Sequence, residues 1–106
     1  MLFYWDHRVD EGMHIEGYKH SIEVIVRSIK GTRKKREAEL EIICSESTSV
    51  AIKSGEFIQI AEYLSAGILK DSVPNSNKVR IGYSYPYREY VLTPKKYPAK
   101  NPTETD

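Results

Sequence analysis

The chain has 106 residues, a mass of 12.2 kDa and a formal net charge of +1, with 40% hydrophobic residues. That is the size of one domain with one core, which buries roughly two-thirds of its unfolded surface and can fold without disulfides or a structural metal. A single cysteine, Cys44, excludes an internal disulfide and points to a reducing, cytoplasmic setting, and the apolar opening Met1-Leu2-Phe3-Tyr4-Trp5 is too short for a signal-peptide core or a membrane span.

Leu2 to Val9 is rich in aromatic and branched residues, and Asp10-Glu11-Gly12 offers a turn into an extended piece from Met13 to Tyr18, so the pattern predicts a hairpin. Ser21 to Ile29 places Ile22, Val24 and Val26 on one face, while Ile25 interrupts the polar series Glu23 and Arg27, as in a central strand. Glu37 to Cys44 alternates, with Ala38, Leu40, Ile42 and Cys44 inward and Glu37, Glu39 and Glu41 toward water. The segment Lys30 to Arg36, containing Gly31, is expected to join these two strands as a hairpin loop.

Val50-Ala51-Ile52 reads as another short strand. Ser54 then suits a helix N-cap, with Glu56 in the first turn. Phe57, Ile60, Ala61, Leu64 and Ile68 recur at spacings of three and four, which predicts an α-helix over about 55–67 that stops at Gly67. After a loop with Pro74, Val79, Ile81, Tyr83 and Tyr85 alternate with Lys78, Arg80, Gly82 and Ser84 as a strand with one polar face. Pro86 interrupts the pattern, and Tyr87 to Leu92 can resume it.

From Thr93 the prolines and lysines predict a flexible tail, giving a domain over 1–92 and a tail over 93–106. The expected class is α+β: an antiparallel sheet of five to seven short strands with one helix packed on a face. This order of elements, with its basic hairpin, loosely resembles the plan of the single-strand-binding coactivators.

The histidines His7, His14 and His20, with Asp6 and Glu16, have the chemistry of metal ligands, but their spacing fits no ligand motif. Cys44 shares the apolar face of its strand and reads as a small buried hydrophobe, and Glu37, Glu39 and Glu41 read as a solvated strand face. The glycines are isolated, so there is no phosphate-binding loop. Neither an enzymatic activity, a metal nor a cofactor is expected.

The near-neutral total hides an uneven charge distribution. Five cations, Lys30, Arg33, Lys34, Lys35 and Arg36, fall within seven residues of the expected hairpin tip, a pattern that meets phosphate backbones. Five of the eight tyrosines lie between 83 and 97, and Arg80, Tyr83, Tyr85, Tyr87, Arg88 and Tyr90 interleave rings with cations, as single-stranded nucleic acid requires. The leading expectation is a non-enzymatic module that binds DNA or RNA through these two segments. The alternative is a protein-interaction module, such as a small phage- or host-encoded inhibitor or adaptor, in which the Tyr-rich segment meets a protein partner or, as a half-buried aromatic edge strand, pairs with its own copy as a homodimer.

Overall fold

The computed structural model describes residues 2–17, 21–32, 34–69, 77–85 and 90–99. Its described part holds nine strands and no helix. They are β1 (Leu2–His7), β2 (Glu11–Glu16), β3 (Ser21–Gly31), β4 (Arg36–Ile43), β5 (Ser47–Lys53), β6 (Phe57–Ala61), β7 (Leu64–Ile68), β8 (Val79–Ser84) and β9 (Val91–Lys96). A four-stranded sheet runs β1-β8-β7-β6 and a five-stranded sheet runs β5-β4-β3-β2-β9, all pairs antiparallel.

The two sheets share one core. Met13, Ile15, Ile22, Val24, Val26, Leu40 and Ile52 from the larger sheet meet Leu64, Ala66, Ile68, Val79, Ile81 and Tyr83 from the smaller, all at 2% exposure or less. Burying each large side chain here stabilises the fold by roughly 1.5–3 kcal/mol, and only the period-two face of each strand supplies them.

The third strand shows how local backbone serves that core. Its apolar series breaks phase after Val26, and the register shifts there: Val26 opposes Leu40, whereas Ser28 opposes Glu39. Arg27 is the extra residue of a β-bulge, which turns Ile29 back toward the core and leaves the Arg27 side chain on the outer face.

The expected helix over 55–67 is replaced by the β6–β7 hairpin. Its turn, Glu62-Tyr63, has Tyr63 at φ 61°, and Phe57 opposes Gly67 while Ile58 opposes Ala66. The apolar positions of this segment fit both periods, but Leu64, Ala66 and Ile68 repeat every two residues, and it is these that are fully buried. Ser54 does not cap a helix. It bridges in parallel to Ile68, and Gly55, at φ 87°, donates its N–H to the Ile68 carbonyl at 2.8 Å, so this turn carries the chain from one sheet to the other. Gly67 ends no helix either: a Cβ there would lie 2.1 Å from the Glu56 carbonyl oxygen and 2.5 Å from the Phe57 ring. The fold is therefore all-β rather than α+β, and the likeness in plan to the single-strand-binding coactivators, which needed the helix, goes with it.

The expected N-terminal hairpin is also corrected. β1 and β2 both form but belong to different sheets, β1 against β8 and β2 between β3 and β9. Asp10, at φ 67°, turns the chain between the layers, and its N–H reaches the Val26 carbonyl at 2.6 Å. The hairpin of β3 and β4 is as expected, with Gly31 opposing Arg36. Residues 93–96, expected in the tail, complete β9, and Tyr97 follows with its N–H bonded to the Asp10 carbonyl at 2.8 Å. No helix among the described residues is long and apolar enough to cross a membrane.

Gly67→Ala tests the replaced element. The added methyl must displace the backbone at Glu56, so the substitution is expected to cost roughly 1–3 kcal/mol or more, read as a lowered denaturation midpoint with a far-UV spectrum free of helical minima. A variant as stable as the parent contradicts the β6–β7 pairing.

Candidate functional site

The residues predicted to bind nucleic acid separate into two groups. β1 runs from Leu2, opposite Ser84, to His7, opposite Val79, and a short turn leads into β2, which starts at the end where β3 finishes. The β3–β4 tip therefore lies at the end of the sandwich where β8 begins, and Tyr83 and Tyr85 lie toward the other end.

At the tip, Lys30, Lys34 and Lys35 are exposed, and the Lys35 N–H bonds to Thr32. Arg36 is 6% exposed; its guanidinium donates to the Gly31 carbonyl at 3.2 Å, and its own N–H donates to Ser54 Oγ. It shapes the loop rather than facing solvent. Arg33, Tyr87 and Arg88 lie outside the described residues.

The described tyrosines of that segment, Tyr83, Tyr85 and Tyr90, are structural. Tyr83 is fully buried, with its hydroxyl and His7 Nε2 sharing a hydrogen bond at 3.0 Å. Tyr85 is 9% exposed and meets the half-buried Tyr90 edge-on, with ring centroids 6.1 Å apart, and Tyr90 donates its hydroxyl proton to the Glu62 carbonyl at 2.8 Å. Bases cannot stack on rings held beneath a sheet. Arg80 is engaged as well: it donates to both Asp6 oxygens at 2.6 and 3.0 Å and lies 4.8 Å over the Tyr4 ring. The Arg80 hydrogen bond holds the Asp6 carboxyl below its ordinary range, against the opposing effect of burial.

His7 and His14 are not brought together, and His20 lies outside the described residues. His7 sits at 1% exposure on the inner face of β1, where burial pulls its pKa down to about 4, so the ring is neutral near pH 7. His14 lies on the outer face of the larger sheet between two carboxylates, with Nε2 3.0 Å from Glu16 and Nδ1 2.5 Å from Glu23. Among the described residues no three His, Cys, Asp or Glu side chains are placed to hold a metal ion. Cys44, expected inward, is exposed because β4 ends at Ile43 and the chain turns, its N–H reaching the Glu46 carbonyl.

That outer face is solvated at Glu37 and Glu39, as the alternation suggested, but not at Glu41. Glu41 is 7% exposed, accepts Arg27 Nε at 2.8 Å and Ser47 Oγ at 2.6 Å, and Arg27 also reaches Asp10 and the Pro98 carbonyl. Burial opposes the Arg27 charge, yet the bonds to Glu41 and Asp10 outweigh it and raise its pKa further. Tyr97 donates to Glu23, so the segment after β9 is strapped across the sheet at three points: the Tyr97 amide, the Tyr97 hydroxyl and the Pro98 carbonyl.

What the sequence reading passed over is the edge strand β1. Leu2, Tyr4 and Trp5 are 55%, 53% and 44% exposed, and an open groove of about 570 Å³ is lined by Leu2, Phe3, Tyr4, Trp5, Asp6 and Lys78. Side chains of both faces line it, so the groove follows the free edge. A smaller hollow of about 190 Å³ lies beside it between β1 and β9, lined by Trp5, His7, Glu11, Pro94, Lys95 and Lys96. Phe3 and Trp5 share the inner face with their centroids 6.0 Å apart. The signal was in the sequence: an aromatic run of extended residues with no proline or lysine among them.

No family model, curated protein or solved structure matches the chain at a significant level.

The clamp around His14 sets a pH response. Its bonds to Glu16 and Glu23 raise the pKa above the ordinary 6.5, so the stability it contributes is complete below pH 6.5 and is lost as pH rises through the folded-state value. Thermal melts from pH 5 to 9 should show a midpoint that falls as pH rises past the ordinary imidazole range and a fall that is flattened in His14→Gln. An unchanged slope in that variant contradicts the clamp.

Proposed function

We propose that the protein is a non-enzymatic interaction module that binds a partner by strand addition along β1. The observation that carries this reading is that β1 is the one unguarded edge of the two described sheets. β6 is five residues long with a register shift between Gln59 and Ala61, β9 contains Pro94, Lys95 and Lys96, and β5 is largely Ser, Thr and Lys. Irregular register, proline and lysine each discourage pairing with another chain, and β5, with one lysine, presents small polar side chains over Ser47–Ser49 in place of an aromatic row. β1 has none: its six residues are apolar or aromatic except Asp6 and His7, the first neutralised by Arg80 and the second buried and uncharged. Backbone groups along such an edge supply affinity, and the alternating side chains supply selectivity.

Trp5 is the only tryptophan and lines the groove, so its emission reports on occupancy. A panel of synthetic extended hexapeptides that alternate aromatic and polar residues should include members that shift this emission and slow hydrogen exchange of β1 amides. Tyr4→Lys should weaken those members by roughly fivefold or more. Peptides that bind without protecting β1, or a panel with no binder, sink the reading.

The exposed tip favours a second reading, contact with the phosphate backbone of DNA or RNA through Lys30, Lys34 and Lys35. Such contact is electrostatic and involves no stacking on Tyr83 or Tyr85. Anisotropy of labelled single strands and duplexes should show binding at low salt that weakens steeply as salt rises and disappears when the three lysines are changed to alanine. An absence of binding at low salt rules it out.

A further inference from the structure

We infer that the strand added to β1 is β1 of a second copy of this chain, paired antiparallel about a two-fold axis at Tyr4; the inference rests on the strand-addition reading above. A two-fold axis normal to the sheet pairs residue i with a residue j such that i and j exchange roles, so one residue must oppose its own counterpart. With Tyr4 at the axis, Phe3 opposes Trp5 of the second copy, Trp5 opposes its Phe3, and Leu2 opposes its Asp6.

Three observations favour this occupant. Phe3 and Trp5 already share the inner face of β1, stacked at 6.0 Å, so the pairing joins two stacked pairs into a four-ring ladder across the new strand junction. Trp5 projects from the inner face opposite Ile81 yet keeps 44% exposure, because the layer beneath it offers only the hollow beside β9; Phe3 of a second copy covers it. The sole acid of the strand, Asp6, is bound at both oxygens by Arg80, so the strand itself presents no unpaired carboxylate to its own copy, Lys78 being the cation that lines the groove beside it. An interface of five or six residues a side falls short of the standard patch of about 800 Å² per partner, so the dimer should be weak and concentration-dependent.

The experiment uses full-length chain in sedimentation equilibrium. Wild type should shift from monomer to dimer with rising concentration. Tyr4→Glu and Tyr4→Lys each set like charges face to face at the axis and should raise the dissociation constant by roughly fivefold or more, and an equimolar mixture of the two should dimerise at least as well as wild type. Tyr4 is more than half exposed, and circular dichroism checks that both variants fold. As a second measurement, Tyr4→Cys in a Cys44→Ser background should oxidise to a disulfide dimer, because paired Cα atoms about 5 Å apart meet the geometry of the bond, whereas Leu2→Cys in the same background should not. Wild type that stays monomeric at the highest attainable concentration overturns self-pairing, and if peptides then protect β1 amides the strand-addition reading survives without it. A dimer unaffected by either Tyr4 variant, no recovery in the mixture, or equal crosslinking at positions 2 and 4 also overturns it.

Discussion

Two sheets, each apolar on one face, must cover one another, and this mutual covering decides the place of every other residue in the molecule. Neither sheet can be stable alone, since four or five short strands leave half their side chains in contact with water if the second layer is removed. The chain meets the demand by changing layers at tight turns. One is at Asp10, where a left-handed residue carries β1 away from β2. Another is at Ser54-Gly55, where two short backbone bonds tie the end of β5 to Ile68 on the far sheet. Once those turns are set, the inward rows of both sheets form a single cluster.

Polar groups that end up inside this frame have to be paired, because an unpaired buried donor or acceptor costs about 1–3 kcal/mol. His7 and Tyr83 satisfy each other across β1 and β8, although they are 76 residues apart in sequence. Desolvation keeps the imidazole neutral and pushes the phenol well above its ordinary range, so both hold the protonation state that a neutral hydrogen bond needs. On the outer face of the larger sheet, Asp10, Arg27, Glu41 and Ser47 form a chain of charge-assisted bonds over a strand surface that would otherwise expose Ile25, which is 1% exposed. The strap from Tyr97 to Pro98 is the remaining cover, and it shows what holds these two residues against the sheet despite the composition of their segment.

Strands whose apolar residues alternate cleanly were legible in the sequence. β3, β4 and β8 fall where the pattern put them, and the β3–β4 tip carries its lysines into solvent. The segment 55–67 was misread because Phe57, Ile60, Ala61, Leu64 and Ile68 satisfy a helical stripe while Leu64, Ala66 and Ile68 satisfy a strand, and local spacing cannot choose between them. The choice is made by β8: Ala66 and Ile68 pair with Tyr83 and Ile81, contacts invisible to a window of a dozen residues. Tyr83 and Tyr85 illustrate the same limit. Composition made them look like a stacking surface, and alternation with Val79 and Ile81 made them look like core; the second layer resolves it in favour of core. Partner choice between sheets was equally illegible, which is why β1 was assigned to β2 rather than to β8.

An exposed aromatic edge would ordinarily invite open-ended assembly, since a sheet with two sticky edges can add copies without limit. Here the two edges of the smaller sheet are unlike. β1 pairs with β8 in unbroken register from Leu2 to His7, whereas β6 at the opposite edge is one residue shorter, shifts register after Gln59 and ends in the turn at Tyr63, at φ 61°. Pairing through β1 about a two-fold axis would consume that edge of the smaller sheet on each copy and leave β6 at both ends of the joined sheet. An isologous contact of this kind closes on itself. On the self-pairing proposed above, the asymmetry between β1 and β6 would turn a hazard common to edge strands into a contact of fixed stoichiometry.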